Sequence, residues 1–383
     1  MAKLGDVCEI LNGFAFRSEQ YVDAGIRIIR ISNVQKGYIE DSSPVFYRAN
    51  SEDAQKYRLE ENDLLISLTG NVGRVAILSK AYLPAALNQR VACIRIKNEK
   101  ELYKPYLFHL LNSDFFESKC IEYSKGVAQK NMSTQWLKDY EVSLPPIEEQ
   151  YRIAAVLDKV TDLIAQRRAQ LDKLDLLVKS RFVEMFGNET EFSRWPCCKV
   201  GDVAEVCVGV VIKPTQYYTD AGIPAFRSLN IGELHVKDTD WVYFTEEGHK
   251  KNTKSTIKEN DVLVVRSGAP GTACVATVKY AGYNAVDIII AHPNLAKVDP
   301  MFLAAFTNMP HGMMQIRAKT GGAAQQHFNV GGYKSLDLIL PSLHLQQDFS
   351  RFVKQIEGSK LTIYKSLDKL EIVKGILMQR YFG

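Results

Sequence analysis

The sequence predicts an α+β chain in which a mixed α/β domain and a long helix occur twice in succession. Two observations predict it: an internal repeat at an offset of about 196 residues, and a long stretch closing each copy whose apolar residues alternate by four and three. These place a first domain at 1–145, a first helix at 146–187, a second domain at 188–340 and a second helix at 341–383.

The repeat is carried by short blocks in constant order. Leu4-Gly5-Asp6-Val7 returns as Val200-Gly201-Asp202-Val203, and Asp23-Ala24-Gly25-Ile26 as Asp220-Ala221-Gly222-Ile223. Arg30 and Asn33 match Arg227 and Asn230, and Glu61-Asn62-Asp63-Leu64-Leu65 matches Glu259-Asn260-Asp261-Val262-Leu263. Gly70 and Gly73 match Gly268 and Gly271, Gln129 matches Gln325, and Phe186-Gly187 matches Phe382-Gly383. Register held across so many blocks marks a duplicated unit.

Within each domain, runs such as Ile26–Ile31 and Asp63–Ser67 are rich in β-branched residues and bounded by Gly, Asn, Asp and Pro, which reads as sheet with long loops. Helices are expected from Pro105 to Phe116 and from Pro300 to Asn308, with proline in the first turn. The two Gly-x-x-Gly segments read as turns between strands, because neither opens a helix as a phosphate cradle would.

The closing stretches differ in kind. From Ile147 to Phe186 there is no proline or glycine, and Ile153, Leu157, Val160, Ile164, Arg167, Leu171, Leu174 and Val178 keep the four-three spacing of a coiled-coil seam. The second copy presents Phe349, Val353, Ile356, Lys360, Ile363, Leu367, Leu370, Lys374 and Leu377. Ile164 aligns with Lys360 and Arg167 with Ile363, which suits two unlike helices pairing within one chain. About 40 helical residues make a rod of roughly 60 Å, longer than the roughly 34 Å of one DNA turn.

Composition excludes more than it selects. The 383 residues are 46% hydrophobic and 24% charged, with a net charge of +4, typical of a globular protein. Residues 1–145 carry 19 basic and 18 acidic side chains and residues 188–340 carry 15 of each, so any nucleic-acid face must come from clustering. No apolar run is long enough to span a membrane, and the N-terminus lacks the apolar core of a signal peptide. Seven irregularly spaced cysteines are expected to be reduced thiols in the cytoplasm.

Catalytic signatures are missing from the sequence. It has no Walker phosphate loop, no His-Glu-x-x-His, no Cys-x-x-Cys, no Gly-x-Ser-x-Gly, and no Asn/Asp-Pro-Pro-aromatic tetrapeptide of an adenine methyltransferase. A chain without catalysis or a metal site is expected.

Leu-Gly-Asp-Val at the start, Arg-x-x-Asn after the first strand, Glu-Asn-Asp-Leu-Leu-x-Ser-x-x-Gly, and the closing Leu144-Pro145-Pro146-Ile147-Glu148-Glu149-Gln150 together resemble the specificity subunit of type I restriction-modification systems. The likeness spans both halves. The second copy departs from it with Leu340-Pro341-Ser342-Leu343-His344-Leu345-Gln346, which should still start a helix. The resemblance implies two target-recognition domains held apart by helices that pair antiparallel. It also implies double-stranded DNA as ligand, two modification subunits that methylate adenine N6, and restriction subunits. S-adenosylmethionine, ATP and Mg would belong to those partners. A duplicated coiled-coil adaptor that binds protein instead of DNA is the alternative.

Base readout requires Arg, Lys, Asn, Gln or small polar groups on loops that enter a groove. In the first domain the candidates are Arg30, Asn33, Arg74, Gln89, Arg90, Lys125, Gln129, Lys130 and Asn131. In the second they are Arg227, Asn230, Arg266, Asn284, Lys319, Gln325, Gln326 and His327. Residues shared by both copies are expected to hold loops or touch phosphates, since the two targets should differ. The unmatched pairs, Lys130-Asn131 against Gln326-His327, are expected to choose bases.

Overall fold

The computed structural model describes residues 1–124, 131–320 and 327–383. They form two units, Met1–Arg168 with Ser366–Gly383, and Ala169–Lys365. In the first, strands Cys8–Asn12, Val91–Ile96, Leu64–Ser67 and Val75–Ile77 lie in that order in an antiparallel sheet. In the second, Ala204–Val208, Ile288–Pro293, Val262–Val265 and Ala273–Val275 repeat the order.

The third strand of each sheet carries consecutive apolar residues, Leu64–Ile66 and Val262–Val265, because both faces are covered. Leu64 and Ile66 pack with Leu107 and Phe116 from helices, while Leu65 joins Ile29 and Leu87 of a smaller sheet on the other face. In the second unit Val262 and Val264 meet Phe302 and Phe306, and Leu263 and Val265 meet Phe226 and Ala285. The smaller sheets pair Ile26–Ile29 parallel to Ala85–Leu87 and Ile223–Phe226 parallel to Asn284–Ala285.

One predicted helix is divided. Residues Lys104–Leu111 and Asp114–Tyr123 form two helices. Ser113 starts the second by accepting a hydrogen bond from Phe116 N at 3.1 Å, a cap that competes with helix continuation. The counterpart helix runs Pro300–Asn308 as expected, followed by Pro310–Lys319.

The long helices run Ile147–Phe186 and Leu343–Phe382, each 40 residues. Ile153, Leu157, Ile164, Leu171, Val178, Phe349 and Val353 are buried. Val160, Leu174, Ile356, Ile363, Leu367, Leu370 and Leu377 are half-buried. Within the first unit, Arg168 Nη2 donates to Glu371 at 2.8 Å, and Ile153 and Leu157 share a core with Leu377, Met378 and Phe382. Within the second, Asp175 meets Lys360 and the Phe182 ring lies 5.5 Å from that of Phe349. In both units rising numbers on one helix meet falling numbers on the other, so the pairing is antiparallel.

Lys360 is a buried cation in this seam. It donates to Asp175 on the facing helix and to Glu357 at 2.7 Å on its own. Burial opposes its charge, but the two carboxylates outweigh that and hold it above the ordinary lysine range.

A glutamine fastens each helix to the domain before it. Gln150 Oε1 accepts from Tyr103 N at 2.8 Å, while its Nε2 donates to Glu101 O and Pro145 O, each at 2.8 Å. Gln346 accepts from Asp299 N at 2.9 Å and donates to Pro341 O at 2.8 Å. Both side chains are fully buried. The second copy's divergent entry sequence tolerates its changes because this glutamine is kept.

Candidate nucleic-acid interface

Each unit has a turn at which three segments meet, built on the hairpin of the third and fourth sheet strands. In the first unit, Leu68 N donates to Arg90 O at 3.0 Å and Leu68 O accepts from Met132 N at 2.8 Å. Asn131 then bridges Thr69 in antiparallel fashion. Gln89, Arg90, Gly70, Asn71 and Asn131 are thereby gathered on one exposed tip. Met132, buried next in sequence, anchors it.

The hairpin geometry depends on two glycines. Gly70 and Gly73 both have positive φ, and a Cβ on Gly73 would meet Cys120 Sγ at 2.9 Å. Gly268 and Gly271 repeat this, with Ile316 Cδ1 at 2.8 Å from a Cβ on Gly271.

The second unit keeps one rung of this ladder and changes its side chains. Phe328 N donates to Arg266 O at 3.0 Å, and buried Phe328 takes the part of Met132. Arg266 Nε donates to Phe328 O at 3.1 Å and its Nη1 to Asp287 Oδ1 at 2.6 Å. Exposed His327 lies where Asn131 does, its Nδ1 within 2.9 Å of Ser267 Oγ.

Other candidates have work inside the fold. Arg30 N donates to Asn33 Oδ1 at 2.9 Å, Asn33 Nδ2 to Glu40 O at 2.7 Å, and Arg30 Nη2 to Ser43 O at 2.8 Å. Arg227, Asn230 and the carbonyls of Thr239 and Asp240 repeat this arrangement. Asn33 and Asn230 are buried, which corrects their assignment to the DNA face: they close a loop. Arg30 and Arg227 are half-buried and tie down the same loops.

Asn284 needs the same correction. It is fully buried, bonded to Ser255 Oγ and to His249 Nδ1 at 3.0 Å. The strand register aligns it with Ala86, not with exposed Gln89. Arg74 is half-buried against Gln35, and its strand equivalent is Thr272, whereas Arg266 corresponds to Leu68. Lys319 is exposed at the end of its helix. Lys125, Gln129, Lys130, Gln325 and Gln326 lie outside the described residues.

Two residues gained importance that letters alone did not give them, Gln150 and Gln346. Their signal was present, since each follows Leu-Pro by the same spacing in both copies. No helix among the described residues is long and apolar enough to cross a membrane.

A duplicated sheet domain with paired helices and a variable polar tip is the architecture of a modular recognition protein. Residues 1–174 match the family model for the type I restriction modification DNA specificity domain. The specificity subunit of the type I restriction enzyme EcoBI from Escherichia coli is 24% identical, over 95% of this chain and 80% of its own length. That of EcoKI from E. coli strain K12 is 21% identical, over 96% of this chain and 84% of its own. The crystal structure of an S subunit from M. genitalium has a similar fold, with a TM-score of 0.59 at 14% identity, covering 100% of this chain and 95% of that one. A chain from a study of type I complex assembly and conformational transition gives 0.55 at 16% identity, covering 100% and 96%. Residues 1–174 thus match the DNA specificity domain of type I restriction-modification systems, and nearly the whole chain is similar to type I restriction enzyme specificity subunits.

Proposed function

We propose that this chain selects a two-part, asymmetric DNA sequence, each repeat reading one half, and delivers modification and restriction subunits to it. The observation that carries the reading is the pair of tips: a common backbone frame presents exposed Gln89, Arg90 and Asn131 in the first repeat and exposed His327, beside the Arg266–Asp287 pair, in the second. A shared frame with unlike exposed side chains suits two reading sites with different targets. Arg and Asn there have the donors that recognise guanine and adenine edges in the major groove.

Adenine N6 methylation, with its S-adenosylmethionine, and ATP- and Mg-dependent restriction belong to the partners in this reading, and the chain itself is not catalytic. Two half-sites on one chain multiply discrimination, since each mismatch costs about 1–3 kcal/mol. Co-expression with a cognate modification subunit should yield methylated adenines in one two-part motif, mapped by sequencing. Removing a heptad within 153–178 should change the gap and leave both half-sites intact. Methylation without a defined motif would overturn the reading.

A further inference from the structure

The two repeats part company at the turn that follows their first sheet strand. In the first, Phe14 and Phe16 fold inward: Phe16 is buried, with ring centroids 4.9 Å from Tyr47 and 5.2 Å from Phe14. The equivalent residues in the second are Val210 and Ile212. Ile212 is 80% exposed and Val211 beside it 47%. Lys213 then takes a φ of +44°, in the left-handed region that residues with a Cβ avoid. An exposed aliphatic pair on a strained turn, where the sister domain buries an aromatic, is not ordinary surface.

Its position relative to the tip gives the feature meaning. Val210 bridges Val286, and Asp287 N donates to Val210 O at 3.2 Å. Asp287 holds Arg266 at 2.6 Å, and Arg266 is bonded to Phe328 in both directions, next to His327. Ile212 is thus two residues from a ladder that ends at the reading tip. The charge there differs from the first repeat as well. Arg266 is matched by Asp287, whereas Arg90 occupies an exposed turn.

We propose that Ile212 is a base-reading residue of the second repeat, recognising a thymine through its C5 methyl group in the major groove of double-stranded DNA. Apolar contact with that methyl is how an aliphatic side chain tells a T·A pair from the others. Among the described residues of this tip Arg266 is spent on Asp287 and His327 is exposed, with Ile212 offering an apolar contact beside them, while the first repeat offers Arg90 for a guanine. The two half-sites should therefore differ in kind, one holding a G·C pair read by charge and the other a T·A pair read by shape.

The inference rests on the DNA reading above, and one experiment separates their failures. The complex with modification subunits is titrated against duplexes carrying its mapped motif, each thymine of the second repeat's half-site replaced singly by deoxyuridine, which removes only the methyl. At one position the unaltered complex should bind about fourfold more weakly, the effect of one methyl group. The Ile212→Ala complex should bind thymine and deoxyuridine equally there, Ile212→Val should keep part of the difference, and the other half-site should respond as before. Indifference of the unaltered complex to every deoxyuridine, full discrimination by Ile212→Ala, or a half-site without thymine would overturn the proposal while leaving the two-part reading intact. A complex with no defined motif would overturn both.

Discussion

Asp63 in the first repeat and Asp261 in the second occupy one position with one backbone duty and two different partners. Asp63 Oδ2 accepts from Glu60 N at 2.8 Å, and Asp261 Oδ2 accepts from Lys258 N at 2.7 Å. Both are buried. Across the sheet, Asp63 receives Arg95 through two bonds of 2.8 Å, whereas Asp261 receives His292. Duplication has kept the carboxylate that closes the turn and let its counter-ion change from a permanent cation to a titratable one. The hydrogen bond to Asp261, aided by Cys207 at 3.7 Å, pushes His292 up to about 9. The frame is what the two repeats share, and the chemistry hung on it is free to diverge.

That comparison can be broken most severely at the carboxylates. Asp63→Ala or Asp261→Ala should each cost about 3 kcal/mol, because a half-buried cation loses its buried partner and a turn loses its cap. Each loss should be confined to its own unit when hydrogen exchange is followed by mass spectrometry. Equal, delocalised effects from either change would refute separate frames. Gln150→Ala and Gln346→Ala come next, at about 2 kcal/mol each, since each strands buried backbone groups. Near-equal values in denaturant unfolding would sharpen the claim that the helix fastening is a shared feature.

The pH response should distinguish the repeats. His292 is held above the roughly 6.5 of a free histidine. Its contribution to stability is therefore complete below about pH 6.5 and is lost as pH rises through about 9. The second unit should weaken by on the order of 1–2 kcal/mol over that window, after allowance for solvent screening. The first unit, with Arg95, should not, and His292→Arg should abolish the difference. Exchange rates measured across the window for the two units check this. The smallest effect is expected at Lys360→Met, within about 1 kcal/mol of the native protein, because replacing a buried ion by an apolar side chain removes the desolvation cost along with the attraction. Asp175→Ala should be worse than Lys360→Met by thermal unfolding, since it leaves the buried lysine with less compensation.

Much of the fold was legible because periodicity records burial. The β-branched run Ile26–Ile31, the apolar run Leu64–Ile66 and the four-three seam all reflect which faces are covered. The break at Ser113 was not, because a serine reads the same whether it caps a new helix or sits within an old one. The tip was legible only in part. Asn33, Asn230 and Asn284 carry the donors of a base reader and spend them on loop carbonyls and neighbouring side chains, a distinction only burial makes. Arg266, a candidate by its letter, occupies the ladder position that Leu68 holds in the first repeat. Ile212 escaped notice because an aliphatic residue near a strand is normally core.

The central claim is that the two repeats read DNA independently on a common frame. Its most direct test is to replace residues 1–145 with the corresponding domain of a relative and map methylated adenines in cells carrying the complete system. One half of the motif should change to a new sequence while the other half and the gap stay as they were. Alteration of both halves, or of neither, would contradict the account.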